Sequence, residues 1–203
     1  MDCTHDKNAI GIDEVGRGCI AGPVVAAAIM IDPKILDDIA VKDSKKLSAK
    51  QRENLASKLL ASATTWGVGV VGVKTIDSIN ILQATLRAMQ IAHKQCWVAP
   101  SFAWVDGRDA PKIPIPAKAV IGGDNCMKII AAAGIIAKVY RDSLMHVFDA
   151  QYPRYHLGRH KGYGTKLHLD ALMQHGVTAI HRKSYKPVQQ ALRKHNSPEE
   201  ACL

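Results

Sequence analysis

Residues 10–18 read Ile-Gly-Ile-Asp-Glu-Val-Gly-Arg-Gly, and no other stretch constrains the fold as much. An apolar, strand-like approach ends in two adjacent carboxylates, Asp13 and Glu14, and the tripeptide Gly16-Arg17-Gly18 follows at once. Two acids at the end of a buried strand repel each other and lose hydration, so something must compensate them. A hard divalent cation with oxygen ligands is one solution. A strand that simply ends in a solvated acidic turn is the plainer one. The Gly-Arg-Gly turn offers exposed backbone and a fixed positive charge, which suit a phosphate or a sugar hydroxyl.

The rest of the chain alternates between strand and helix signals. Residues 9–15 and 20–31 read as successive buried strands, broken only by that turn. Ser48-Ala49-Lys50-Gln51 is a capping box that opens a helix. Residues 64–73, rich in Val and Gly, read as a strand packed closely on a neighbour. Ile79, Leu82, Leu86, Met89, His93 and Cys96 step by three and four, as do Ile129, Ala133, Ile136, Tyr140, Leu144 and Val147, marking two long amphipathic helices. Between them lie short strands at 102–105 and 117–121, and Thr165 caps a later helix before a basic tail. The pattern predicts an α/β protein: a mixed sheet flanked by helices over residues 1–150, and a small, basic, helical C-terminal extension over 151–203.

Composition narrows the partners. Lys and Arg number 27 against 18 Asp and Glu, a net charge of +9. That excess favours a polyanion, nucleic acid being the commonest, although a basic protein without such a partner fits as well. Cys3, Cys19, Cys96, Cys126 and Cys202 are scattered without a C-x-x-C pair, which suggests free thiols in a reducing compartment and neither a disulfide frame nor a zinc site. His156 and His160 have metal-ligand spacing, but Gly158 between them argues against a helix and hence against zinc. The N-terminus has no signal-peptide core and the longest apolar run, 24–31, is too short for a bilayer. A cytoplasmic monomer with no membrane partner is expected.

Three strand-like segments share one ending, a carboxylate beside glycine: Asp13-Glu14, Asp106-Gly107 and Gly123-Asp124. Sites in α/β sheets form where strand ends meet, so these acids can converge. Four clustered carboxylates need cations, and two Mg²⁺ ions about 4 Å apart would organise an in-line attack on phosphate. Taken singly, Asp106 and Asp124 also read as ordinary turn residues. Neighbouring strand residues face opposite sides, so Asp13 and Glu14 meet one metal only if the strand bends at Glu14 or Glu14 contributes its carbonyl.

In order along the chain, Asp13-Glu14-Val15-Gly16-Arg17-Gly18, Asp43-Ser44-Lys45-Lys46-Leu47, Asn80-Ile81-Leu82, Val105-Asp106-Gly107, Gly123-Asp124, Ala137-Lys138-Val139-Tyr140-Arg141-Asp142 and His160-Lys161-Gly162-Tyr163-Gly164-Thr165 resemble the type 2 ribonuclease H (ribonuclease HII) family. The resemblance implies a ribonuclease H-like sheet and metal-dependent cleavage of RNA in RNA–DNA hybrids. It also implies nicking 5′ of ribonucleotides embedded in duplex DNA, leaving 5′-phosphate and 3′-hydroxyl. Mg²⁺ or Mn²⁺, two ions per site, would be held by Asp13, Glu14, Asp106 and Asp124. Gly16, Arg17 and Gly18 would read the 2′-OH, and Tyr163 would stack on the sugar at the RNA–DNA junction.

Departures from the family pattern are Cys19 in place of proline, residues 125–130 in place of a Ser-richer stretch, Gly134 in place of Ser, and Gly164 in place of proline. Lys45 and Lys46 suit phosphate contacts or a solvated pair. Asp142, four residues after Lys138, reads equally as its ion-pair partner or as a carboxylate near the site. Arg154, Arg159, His160 and Lys161 suggest a backbone-contacting patch, and Arg182, Lys183, Lys186, Arg193 and Lys194 a solvated basic tail. A DNA-directed nuclease or integrase on the same sheet would not need the Gly-Arg-Gly sensor. A noncatalytic nucleic-acid binder would not need the acids, since they repel phosphate unless metals are present.

Overall fold

A computed structural model describes residues 6–39, 41 and 47–196. Its centre is a five-stranded sheet: β1 (Ala9–Val15), β2 (Val24–Met30), β3 (Thr65–Val71), β4 (Phe102–Asp106) and β5 (Ala117–Val120), in the order β3-β2-β1-β4-β5. The tight β1–β2 and longer β2–β3 connections give antiparallel pairs, whereas β1–β4 and β4–β5 are parallel. The mixed sheet expected from the short first connection is therefore present.

Every residue of β2 is buried because helices cover both faces of the sheet. Val25, Ala27 and Ile29 pack with Ala132, Ala133 and Ile136 of α5 (Lys128–Gln151) and with Leu55 and Leu59 of α2 (Ala49–Ser62). Val24, Ala26, Ala28 and Met30 face Ile76, Ala84 and Ala88 of α3 (Val73–Lys94). The remaining helices are α1 (Pro33–Asp38), α4 (Gly123–Cys126), α6 (Leu157–His160), α7 (Lys166–His175) and α8 (Lys186–Asn196), with a 3₁₀ turn at Pro153–Tyr155.

Ser48 and Gln51 form the expected capping box on α2, and the Thr165 hydroxyl accepts from the His168 N–H at the start of α7. Two boundaries differ from expectation. The second strand starts at Val24 and not at residue 20, because Ile20 and Ala21 give their N–H groups to the Gly162 carbonyl, outside the sheet. The first long helix begins at Val73, before its stripe, and breaks at Asn80, whose φ is 66° and whose side-chain oxygen accepts from the Gln83 N–H. Residues 186–196 form a helix and not a tail, since Val188 and Ala191 pack into a cluster with Ile20, Met145 and Leu172.

Candidate active site

Parallel pairing sets Ile12 beside Val105, so the acids that follow, Asp13 and Asp106, emerge at the same end of the sheet. Carboxylate oxygens of Asp13, Glu14 and Asp106 lie within 4.8 Å of one another, a group able to hold a metal ion. No bend at Glu14 is needed, because β1 stays paired with β2 through Val15. Asp13 faces α5 and lines a cleft with Gly134, while Glu14 also borders Leu82, Thr85 and Met89 on the α3 side. The longer Glu14 side chain brings its carboxylate to the shared strand end.

The cluster is electrostatically costly without a cation. Burial, then the charges of Glu14 and Asp106, push Asp13 up to about 8 despite a hydrogen bond from the Glu14 N–H at 2.6 Å. Burial also raises Glu14, although Arg17 Nη1 donates to its Oε1 at 3.3 Å. Glu14 Oε2 is buried and has no hydrogen-bond partner. Raised acids, an orphaned buried oxygen and an all-oxygen donor set fit a hard divalent cation.

Asp124 does not join that tight group but lies against it. Its N–H donates to Asp106 Oδ1 at 3.3 Å, its Oδ1 accepts from the Asn125 amide at 2.8 Å, and its charge helps raise Asp13. Asp13, Glu14, Asp124, Gly134, Arg52, Lys138 and Tyr163 line one cleft of about 350 Å³. Two basic side chains thus line the same cleft as the acids. Lys138 pairs with Asp142 at 2.8 Å, which places Asp142 behind a cleft cation.

The Gly16-Arg17-Gly18 turn has a positive φ at Gly16 (97°), a conformation that favours glycine. Arg17 and Gly18 are exposed, and Tyr163 is exposed at the same cleft as the acids. Lys45 and Lys46 lie outside the described residues. Among described cysteines, Cys19, Cys96 and Cys126 are free thiols.

Three readings are corrected. Arg182 is no solvated tail residue: it is fully buried and donates to the carbonyls of Gly16 at 2.7 Å, Arg17 at 2.9 Å and Gly22 at 3.0 Å. His160 is also buried, with Nε2 at 2.8 Å from the Tyr155 carbonyl, so it cannot be part of a phosphate patch. Residues 157–160 form a short helix, yet His160 faces inward and joins no metal-ligating group among the described residues. Sequence reasoning missed Arg141 as well, which is fully buried and donates to the carbonyls of Pro23, Ala21 and Lys161. A buried arginine satisfied by carbonyls leaves no spacing signal, whereas an acidic partner at helical spacing would have.

This sheet order, with carboxylates converging at the ends of β1 and β4, defines a ribonuclease H-type nuclease fold. The family model described as Ribonuclease HII matches residues 10–188. A ribonuclease HII from Coxiella burnetii (strain Dugway 5J108-111) is 45% identical over 180 residues, covering 89% of this chain and 89% of that protein. One from Vibrio parahaemolyticus is 47% identical over 182 residues, covering 90% and 86%. The crystal structure of the ribonuclease H2 from Pyrococcus horikoshii OT3 superposes with a TM-score of 0.81 at 28% identity, covering 93% of this chain and 99% of that one. The chain belongs to the ribonuclease HII family, and is a hydrolytic endoribonuclease acting on RNA–DNA hybrids. No helix among the described residues is long and apolar enough to cross a membrane.

Proposed function

We propose that this chain nicks duplex DNA on the 5′ side of an embedded ribonucleotide, as well as cutting the RNA strand of hybrids, and leaves 5′-phosphate and 3′-hydroxyl ends. The observation that carries this reading is the Asp13–Glu14–Asp106 cluster, two of whose acids, Asp13 and Glu14, line the cleft that also presents Tyr163. Asp13, Glu14, Asp106 and Asp124 would hold Mg²⁺ or Mn²⁺, two ions per site. When bound, the metal supplies an activated water and charge for the leaving 3′-oxygen.

The protein's own groups do the rest. Gly16 and Gly18 let backbone approach a 2′-OH, the group that separates RNA from DNA, and Arg17 adds an exposed cation for the adjacent phosphate. Tyr163 stacks on the junction sugar. Lys45 and Lys46 contact phosphate, as do Arg52 and Lys138 on the cleft wall. Residues 1–150 form the catalytic core, and 151–203 complete the substrate groove. Free thiols support a reducing, cytoplasmic setting, and a monomer suffices because one chain supplies every group named.

The test is a DNA duplex carrying one ribonucleotide, incubated with Mg²⁺ or Mn²⁺. A single nick 5′ of that ribonucleotide is expected, abolished by chelator and by Asp13→Asn. Equal cleavage of an all-DNA duplex would overturn the ribonucleotide reading. Binding without nicking would leave a nucleic-acid binder in its place.

A further inference from the structure

Behind Tyr163 lies a buried network of three histidines that the proposed chemistry does not use. His160, His168 and His181 are 9%, 0% and 1% exposed. The rings of His160 and His168 stack at 4.3 Å, and His168 Nε2 lies 3.1 Å from His181 Nε2.

The partners fix every ring proton. His168 Nδ1 sits 2.9 Å from the Tyr163 carbonyl, which only accepts, so Nδ1 carries the hydrogen. Neutral His168 Nε2 is then an acceptor, and the hydrogen between the two rings belongs to His181 Nε2. That leaves His181 Nδ1 bare. Both donors of Thr178 meet it, the N–H at 3.1 Å and the hydroxyl at 2.8 Å. By the same logic the Gly162 N–H donates to His160 Nδ1 at 3.2 Å, so His160 Nε2–H donates to the Tyr155 carbonyl. An added proton would set two donors against each other. Burial acts in the same direction, lowering His160 and holding His168 at about 4 and His181 at about 3.

This relay shares its far end with the other substrate element. His181 forms an isolated bridge with Ala21, and the next residue, Arg182, gathers the Gly16 and Arg17 carbonyls. The Tyr185 hydroxyl donates to the Arg17 carbonyl at 2.7 Å as well. One dipeptide therefore reaches both elements, His181 the Tyr163 turn through His168 and Arg182 the Gly-Arg-Gly turn directly.

We infer that His168 and His181 are positioning residues, which hold the Tyr163 turn in fixed register with Gly16-Arg17-Gly18 so that ribose and junction contacts form together. Neither touches substrate. The inference rests on the reading of Tyr163 as the junction-stacking residue.

The test has a spectroscopic and a kinetic arm, both on the full chain. Long-range ¹H–¹⁵N spectra should show His168 as the Nδ1–H tautomer and His181 as Nε2–H, unchanged between about pH 6 and 8, with His160 as Nε2–H near pH 8. Mixed tautomers of His168 or His181, or a charge on either ring in that range, would overturn the relay. With 3-fluorotyrosine incorporated, the Tyr163 resonance, assigned by its loss in Tyr163→Phe, should be single and sharp. It should split or broaden in His168→Leu, which removes the donor to the Tyr163 carbonyl. His168→Asn keeps a donor near the Nδ1 position and should restore the sharp line. On the single-ribonucleotide duplex, His168→Leu should raise KM about tenfold, the cost of one buried hydrogen bond, with kcat within about twofold. His168→Asn should reverse most of that rise.

Equal loss of kcat in both His168 variants with an unchanged fluorine line would mark a merely structural role and overturn the inference. Tyr163→Ala separates the two readings. If it leaves KM unchanged, the stacking role itself fails. If it raises KM while His168→Leu matches the parent, the relay alone fails. Should His168→Leu not fold, the tautomer spectra of the unmodified protein still decide.

Discussion

Asp13 is an acid that its own surroundings push toward the protonated form. Its folded pKa of about 8 stands above the ordinary value of 3.8, and Glu14 shifts in the same direction. A group whose pKa rises on folding contributes stability that is complete below its unfolded pKa and is lost as pH climbs through the folded one. The buried histidines, lowered on folding, oppose this below their ordinary 6.5, so the acid's contribution stands clear only above neutrality. Between about pH 7 and 8.5 the melting temperature of chelated protein should fall, and Mg²⁺ should reverse the fall. Asp13→Asn should flatten the profile. Calorimetry on the pair checks this, and identical profiles for parent and variant would refute it.

Gly134 is a second lever at the same site. A Cβ built there would collide with Asp13 Oδ2, so any side chain must turn the carboxylate away. Gly134→Ala should force Asp13 off its rotamer, a cost of about 0.5–1.5 kcal/mol, and raise the half-saturating Mg²⁺ concentration roughly two- to twelvefold. Gly134→Ser should recover part of that loss, because a hydroxyl donor favours the charged carboxylate. Metal titrations of nicking rate distinguish the two. The acids were legible in the sequence because strand-end carboxylates beside glycine form a pattern. The glycine's reason was not, since it depends on which helix turn passes over which strand.

Among the elements, β3 and α3 show why a Val-Gly strand was a sound reading of close packing. Cβ atoms at Gly67 and Gly69 would run into the Ala92 and Ala88 carbonyls of α3. The helix therefore lies directly on the strand backbone, with Gln95 Oε1 accepting from the Val68 N–H at 3.4 Å. Gly69→Ala should destabilise the protein by about 1–3 kcal/mol through overpacking. The specific activity of the folded fraction should not change, because β3 is the far edge of the sheet from Asp106. Urea unfolding paired with active-fraction kinetics tests both halves. Strand and long-helix positions were legible because their periodicities are strong. The late start of β2 and the helical nature of α8 were not, for one shared reason: both are set by contacts between residues 20–21 and the C-terminal segment, far apart in sequence.

For the whole molecule, the +9 charge matters through where its cations stand. Arg141 and Arg182 are buried scaffolding, so they do not release counterions from a duplex. Arg52 and Lys138 line the acid cleft, and Arg17, Arg154 and Arg159 include exposed side chains on the segments flanking it. If about five of these cations and of Lys45 and Lys46 replace counterions, log Kd should vary with log salt with a slope of about 4 to 5. The measurement suits the Asp13→Asn variant, which is expected to bind without turning over, at fixed Mg²⁺. Arg52→Ala should lower that slope by about one and weaken ribose-containing and all-DNA duplexes alike, since a phosphate contact carries no information about the sugar. An unchanged slope in Arg52→Ala would mean the duplex does not run along that wall. A loss confined to ribose-containing duplexes would instead move Arg52 from backbone contact to sugar recognition.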